Sequence, residues 1–234
     1  DICDETEPTN DAMIEAAKSQ FDRLDILFMH RFEENAAIEE TLRALEDVVR
    51  AGKVLYLGAS NYAAWQIATS LGISERKGWT RFDVIQPMYN LVKRQAEVEI
   101  FPLAEAENLG VITYSPVGGG LLSGKYRPGK RPNAGRLVES ASYVRRYGDE
   151  WMLETAGAFS EFADGKAVHP VTLAVAWAAA HPAVTCPIIG ARSLEQLQLS
   201  LDALDYAMPE ALRDEISALS RRPPPATDRT ELQS

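Results

Sequence analysis

Short apolar runs that break off in polar residues alternate along this chain with stretches in which apolar residues recur every three or four positions. Residues 9–11 (Thr-Asn-Asp) can cap a helix over about 10–23, with Met13, Ile14, Ala17 and Phe21 at helical spacing. A strand is expected over 25–30. A second helix follows over 38–50, with Ile38, Leu42, Leu45, Val48 and Val49 on one face and Gly52 as its left-handed cap. The pattern then predicts a strand at 54–57, a helix at 63–71, a strand at 84–86, a helix at 95–108 closed by Gly110, and a strand at 111–114. From 118 to about 148 the periodicity lapses into Gly, Pro, Arg and Asn, which predicts a long loop, and such loops are usually functional. Helices resume at about 149–162 and 171–180, followed by a strand at 185–189 and helices at 194–204 and 210–220.

Strand and helix alternate about five times, with apolar, β-branched strands, so a parallel sheet covered by helices is expected. The alternation alone leaves a barrel and an open doubly wound sheet as alternatives. The strand ends favour the barrel. His30, Ser60-Asn61, Gln86, Tyr114-Ser115 and Gly190 each close a predicted strand, and polar groups on consecutive parallel strands converge at the face where such barrels keep their sites. One domain over residues 1–220 is expected, with the Pro-rich 221–234 as an extended or disordered tail.

The totals narrow the function. At 234 residues with a net charge of −10, the chain suits one α/β domain and argues against a nucleic-acid or anionic-membrane surface. Two distant cysteines, Cys3 and Cys186, make neither a disulfide framework nor a metal box, so a reducing cytoplasm is the expected setting. No run of 18 apolar residues predicts a membrane span. The chain starts Asp1-Ile2-Cys3 rather than with Met, as a processed product or a fragment would.

Taken singly, the marks are ambiguous. His30 reads equally as a rim histidine or a functional one, and with only Glu33 and Glu34 nearby it makes no zinc site. Residues 119–126 nearly match a nucleotide phosphate loop, but Tyr126 stands where a magnesium-holding Ser or Thr is needed. Backbone amides in such a glycine-rich turn can still hold a pyrophosphate. Ser60-Asn61 reads as a helix cap or a site, and Tyr114 as core or site. Arg192, placed where a helix start disfavours a cation, makes more sense beside a bound anion.

In order, Leu27-Phe28-Met29-His30-Arg31, Ile38-Glu39-Glu40-Thr41-Leu42, Arg50-Ala51-Gly52-Lys53-Val54 and Leu57-Gly58-Ala59-Ser60-Asn61 resemble the aldo-keto reductases, particularly bacterial members with larger loops. The match continues through Gln86-Pro87-Met88-Tyr89-Asn90-Leu91, Tyr114-Ser115-Pro116, the segment 119–126 and Gly190-Ala191-Arg192-Ser193-Leu194-Glu195-Gln196-Leu197. The resemblance implies a (β/α)8 TIM barrel, of which this chain carries about five βα units, and hydride transfer from NADPH to an aldehyde or ketone. It implies that His30 orients the substrate carbonyl and that Ser60, Asn61 and Gln86 hold the nicotinamide carboxamide. Tyr114 would stack on the nicotinamide. Ser115, Leu122, Ser123, Gly124 and Lys125 would bind the pyrophosphate, and Gly190, Arg192 and Gln196 the adenosine end, with Arg192 favouring NADP. A small carbonyl compound is the implied partner.

Some positions depart from the family pattern. Glu33 replaces the usual Asp, and Leu199-Ser200 replaces a carboxylate and Asn. The general-acid tyrosine, its lysine and their aspartate lie in the family on the first three βα units, and no residue here is assigned those roles. The resemblance therefore implies a truncated form lacking the N-terminal units, slow at carbonyl reduction alone and prone to self-association through open barrel edges. The alternatives are a non-catalytic NADP-binding scaffold, as in potassium-channel β-subunits, and an inactive product.

Overall fold

The computed structural model describes residues 23–127, 132, 133 and 135–228; the expected helix over 10–23 lies outside them, apart from its last residue. Five parallel strands pair in chain order: β1 Leu24–Met29, β2 Val54–Ser60, β3 Phe82–Gln86, β4 Gly110–Thr113 and β5 Cys186–Pro187. Helices join them, as the alternation predicts: α1 Ile38–Arg50 and α2 Ala64–Lys77 stand between β1 and β2 and between β2 and β3, and α3 Ile100–Ala106 precedes β4. After β4 come α4 Arg136–Glu139, α5 Ala141–Tyr147, α6 Glu150–Gly165 and α7 Pro170–Ala179, and after β5 come α8 Leu194–Leu201 and α9 Glu210–Ser217. The chain divides into two compact units within β4. One comprises residues up to 87 with 99–111, the other 88–98 with 112–234.

In the first unit β1 and β2 run in register from Leu24↔Val54 to Met29↔Ala59, β2 meets β3 up to Ser60↔Gln86, and β3 meets β4 at Val84↔Gly110 and Ile85↔Val111. Leu27, Met29, Leu57, Ala59 and Ile85 are buried. On α1, Leu42, Leu45 and Val48 form the buried face, and Gly52 takes φ +72° just beyond the helix, a conformation glycine adopts without steric cost. That face also buries Glu46. Its carboxylate accepts from Thr80 N at 2.7 Å and from Arg50 Nε at 2.6 Å, so burial, which would raise its pKa, is outweighed and the group stays below the usual carboxylate range.

Several expected boundaries move. Helix α2 passes the expected stop at 71 and runs to Lys77, ending at Gly78 with φ +65°. The expected helix over 95–108 is a 3-10 turn, Gln95–Glu97, followed by the separate α3. Pro102 explains the break, because it has no N–H for the carbonyl four residues back and a proline is tolerated only in a helix's first turn. The left-handed cap of α3 is Asn108 with φ +52°, and Gly110 instead opens β4.

In the second unit, α7 is buried nearly all round, from Pro170 to Ala178, as a core helix should be. Trp177 on it stacks on Tyr89 at 5.0 Å. The Tyr89 hydroxyl donates to Glu97 Oε1 at 2.6 Å and accepts from Arg213 Nη2 at 2.8 Å, while Arg94 makes two 2.9 Å bonds to the same carboxylate. The expected strand over 185–189 shrinks to two residues paired with Ile112 and Thr113. Pro187 cannot donate to the ladder, and Ile188 N supplies the bond to Thr113 O at 2.7 Å. The expected loop over 118–148 is corrected most: it contains a 3-10 turn, Gly118–Gly120, and the helices α4 and α5. The described tail, 221–228, holds neither helix nor strand.

Candidate cofactor site

In the first unit the marked strand ends are tied to one another. His30 follows β1 directly, and its backbone carbonyl accepts from Asn61 Nδ2 at 2.8 Å. The same amide nitrogen donates to Ser60 Oγ at 3.2 Å, and Ser60 Oγ donates to Gln86 O at 2.9 Å. One row of hydrogen bonds therefore crosses the ends of β1, β2 and β3. Parallel register requires this, since Met29↔Ala59 and Ser60↔Gln86 bring those ends level. Asn61 has φ +57°, a left-handed conformation that asparagine tolerates better than most residues. It turns the chain out of β2 while its side chain reaches back.

This row revises how Ser60 can act. It is only 2% exposed and its proton is committed to Gln86 O, so what it can offer a ligand is a remaining lone pair. The Gln86 side-chain amide makes no hydrogen bond among the described residues. Beside the row, Phe32, Tyr62 and Phe82 pack edge to face at 5.4 and 5.8 Å. Burial, with the Glu33 charge second, pushes the Tyr62 phenol up to about 12, so it stays protonated at neutral pH.

In the second unit, Met88 bridges to Tyr114 beyond the end of β4, and Tyr89 N donates to Tyr114 O at 3.2 Å. Tyr114 is 8% exposed. Ser115 then takes φ +58°, unusual for serine, and its carbonyl accepts from Gly118 N at 2.9 Å and from Asn90 Nδ2 at 2.9 Å. The turn continues through Gly118, Gly119, Gly120 and Gly124, all with positive φ. Leu122 is fully buried, so only its backbone is open to a binding role. Ser123 Oγ donates to Gly120 O at 2.6 Å, and Lys125 is exposed. No helix opens at Lys125, and Tyr126 is buried, so the phosphate-loop likeness of 119–126 ends in sequence.

At the start of α8, Ser193 caps the helix by accepting from Gln196 N at 3.3 Å, and Gln196 Oε1 accepts from Arg192 N at 3.0 Å. Gln196 thus closes the helix start, and Arg192 stands exposed just before it. Gly190 is exposed, with no atom within 4 Å of where a Cβ would stand. Ser200 turns inward, 5% exposed, and Leu199 O accepts from Thr172 Oγ1 at 2.6 Å.

Asn90, Tyr143 and Tyr147, which carry no assignment from sequence, lie against the glycine turn. Tyr143 Cδ1 and Cε1 sit 2.6 Å from an ideal Cβ on Gly119, and Asn90 Nδ2 reaches the Tyr147 hydroxyl at 3.3 Å. Their signal in the sequence is a pair of tyrosines four residues apart in an Arg-rich stretch. Among the described residues no group of His, Cys, Asp and Glu could hold a metal ion, and no helix is long and apolar enough to cross a membrane.

The model of the aldo/keto reductase family matches residues 14–221. The chain belongs to that family. Among curated relatives it is 33% identical over 190 residues to the Bacillus subtilis "Uncharacterized oxidoreductase YrpG", covering 81% of this chain and 56% of that protein. It is 33% identical over 201 residues to an Arabidopsis thaliana "Probable voltage-gated potassium channel subunit beta", covering 82% and 61%. It is 32% identical over 211 residues to the human "Aflatoxin B1 aldehyde reductase member 4", covering 80% and 61%. The chain thus spans about three fifths of the length of these curated relatives. The five parallel strands and their helices are consistent with part of the family's TIM barrel.

Proposed function

We propose that this chain carries the cofactor-holding residues of an NADPH-dependent oxidoreductase that reduces aldehydes or ketones to alcohols. The row from His30 through Asn61 and Ser60 to Gln86 carries the reading: three strand ends are fixed to one another by side chains that this family membership would turn to a nicotinamide. The donor set fits such a cofactor. Lys125 and Arg192 are exposed cations, and the backbones at Gly120 and Gly190 have open space where a side chain would stand, which suits phosphate oxygens approaching amides. NADPH, when bound, would supply the hydride.

The chain's own residues would orient and neutralise. His30 would hold the carbonyl oxygen of the substrate by a hydrogen bond from its imidazole. Asn61 and Gln86 would fix the carboxamide, with Ser60 contributing an acceptor and keeping Asn61 in place. Tyr114 would offer its ring to the nicotinamide. Ser115, Ser123, Gly124 and Lys125, with the backbone of Leu122, would bind the pyrophosphate. Gly190, Arg192 and Gln196 would take the adenosine end, where the Arg192 guanidinium favours a 2′-phosphate. The proton donor is assigned to no residue of this chain.

The relative named as a potassium-channel β-subunit supports a second reading, an NADP-binding scaffold that acts through a partner. Steady-state reduction of an aromatic aldehyde by the full-length protein separates the two. Under the first reading His30→Ala lowers kcat/KM for the aldehyde by about 10² or more while NADPH affinity stays within about twofold. Turnover at background level, with NADPH bound tightly, favours the scaffold.

A further inference from the structure

Three consecutive glycines, 118–120, lose more conformational freedom on ordering than any other residues would, so something must hold them if the turn is to present a fixed surface. Beyond the turn's own backbone bonds, the hold comes from α5. The Tyr143 ring occupies the space a side chain on Gly119 would need, and Tyr147 atoms lie 3.7 and 3.5 Å from the Cβ positions of Gly118 and Gly119. Tyr143 is itself fixed, with the Arg136 and Arg146 guanidiniums 5.3 and 5.4 Å from its ring centre and Arg136 Nη1 donating to its hydroxyl at 3.3 Å.

Asn90 joins this aromatic pair to the start of the turn. It is fully buried, and its Nδ2 donates both to Ser115 O at 2.9 Å and to the Tyr147 hydroxyl at 3.3 Å, while its Oδ1 accepts from Val92 N at 3.1 Å. The Tyr147 hydroxyl in turn donates to Met88 Sδ at 3.4 Å. Every polar atom of the Asn90 side chain is used, and one of its bonds holds Ser115 in its strained φ of +58°. A satisfied buried network of this kind specifies one conformation.

We infer that Asn90, Tyr143 and Tyr147 are positioning residues that preorganise residues 115–125 for the pyrophosphate, so that α5 serves cofactor binding. This rests on the cofactor reading above. Without the brace the turn would sample several shapes, and affinity would fall by the fraction of time it spends in the competent one.

The test uses the full-length protein with Tyr143→Leu, which keeps apolar bulk but removes the flat ring, and Tyr147→Phe, which removes only the hydroxyl. Hydrogen exchange of residues 115–124 without cofactor, global unfolding in urea, and NADPH titration are measured on each. In Tyr143→Leu, exchange in 115–124 is expected to rise about tenfold and NADPH binding to weaken about tenfold, with KM for NADPH rising and kcat unchanged. Tyr147→Phe, which keeps the ring packing, should show the same pattern at about threefold and covers the case in which Tyr143→Leu does not fold. Wild-type protein that binds no NADPH overturns the cofactor reading and this inference with it. Wild type that binds NADPH, beside folded variants that bind equally well with unchanged exchange in 115–124, overturns the brace alone. Loss of global stability without selective change in 115–124 assigns the tyrosines to core packing and also overturns it.

Discussion

The strand ends around His30 and the glycine-rich segment 115–125 are held by different physics. At the strand ends the backbone is already fixed by the parallel ladder, and short polar side chains bond to neighbouring carbonyls: Asn61 to His30, Ser60 to Gln86. In the glycine-rich segment no ladder exists: the turn bonds to itself, as Gly118 N does to Ser115 O and Leu122 N to Val117 O, and the Tyr143 and Tyr147 rings and the Asn90 amide brace it from outside. The first arrangement is local to the sheet. The second depends on a helix about twenty residues further along the chain, and Gly119 cannot carry a side chain without colliding with the Tyr143 ring.

The sharpest way to break that contrast is Gly119→Val. Its Cβ would meet the Tyr143 ring at 2.6 Å, and φ of +64° is unfavourable for a β-branched residue. Overpacking and backbone strain together are expected to cost on the order of 3–4 kcal/mol. Urea unfolding measures it, and a cost near zero would mean that the Tyr143 ring does not confine the turn. Asn61→Ala probes the other region. It removes the bonds to His30 O and Ser60 Oγ and places alanine at φ +57°, for an expected loss of about 1–2 kcal/mol. Asn61→Gly removes the same bonds but relieves the strain, so it should cost less than alanine. If the two variants are equal, the left-handed turn contributes nothing.

What could be read from sequence follows the same division. The first four strands were legible because each is an apolar run closed by a polar residue, and α1 because Leu42, Leu45 and Val48 recur at helical spacing. The strand-end residues come together because parallel register carries them there. Helices α4 and α5 were not legible: they have four and seven residues, too few for a periodic signal, and α5 is anchored by tertiary contact of Tyr143 and Tyr147 with glycines. Glu46 was hidden for a related reason. Its partner, the Thr80 amide, lies far along the chain, and no local pattern marks a carboxylate for burial. Gln196 reads as a ligand contact in sequence, and in the structure it also closes the start of α8.

Acid gives a smaller and more graded effect, seen in the second unit at His181 and Glu97. Burial, then the Arg213 charge, pushes the His181 imidazole down to about 4 from an ordinary value of 6.5. Between those values the unfolded chain binds a proton that the folded chain refuses, so stability falls as pH drops through that window, by up to about 1.4 kcal/mol per pH unit. Glu97 acts in the same direction. Burial would raise its carboxyl, but the bonds from Arg94 and Tyr89 hold it below the usual range, and its contribution disappears as pH falls through that lowered value. His181→Asn should flatten the slope of stability against pH between about 6.5 and 4, and an unchanged slope would place the titration elsewhere.

NADPH binding by this protein is the proposal on which these predictions rest. Titration of the full-length protein with NADPH by cofactor fluorescence, beside NADH and beside Arg192→Ala, tests it most directly. Saturable one-to-one binding of NADPH is expected, with a dissociation constant on the order of micromolar, weaker binding of NADH, and a preference that falls about tenfold in Arg192→Ala. A folded protein that shows no saturable NADPH binding would contradict it.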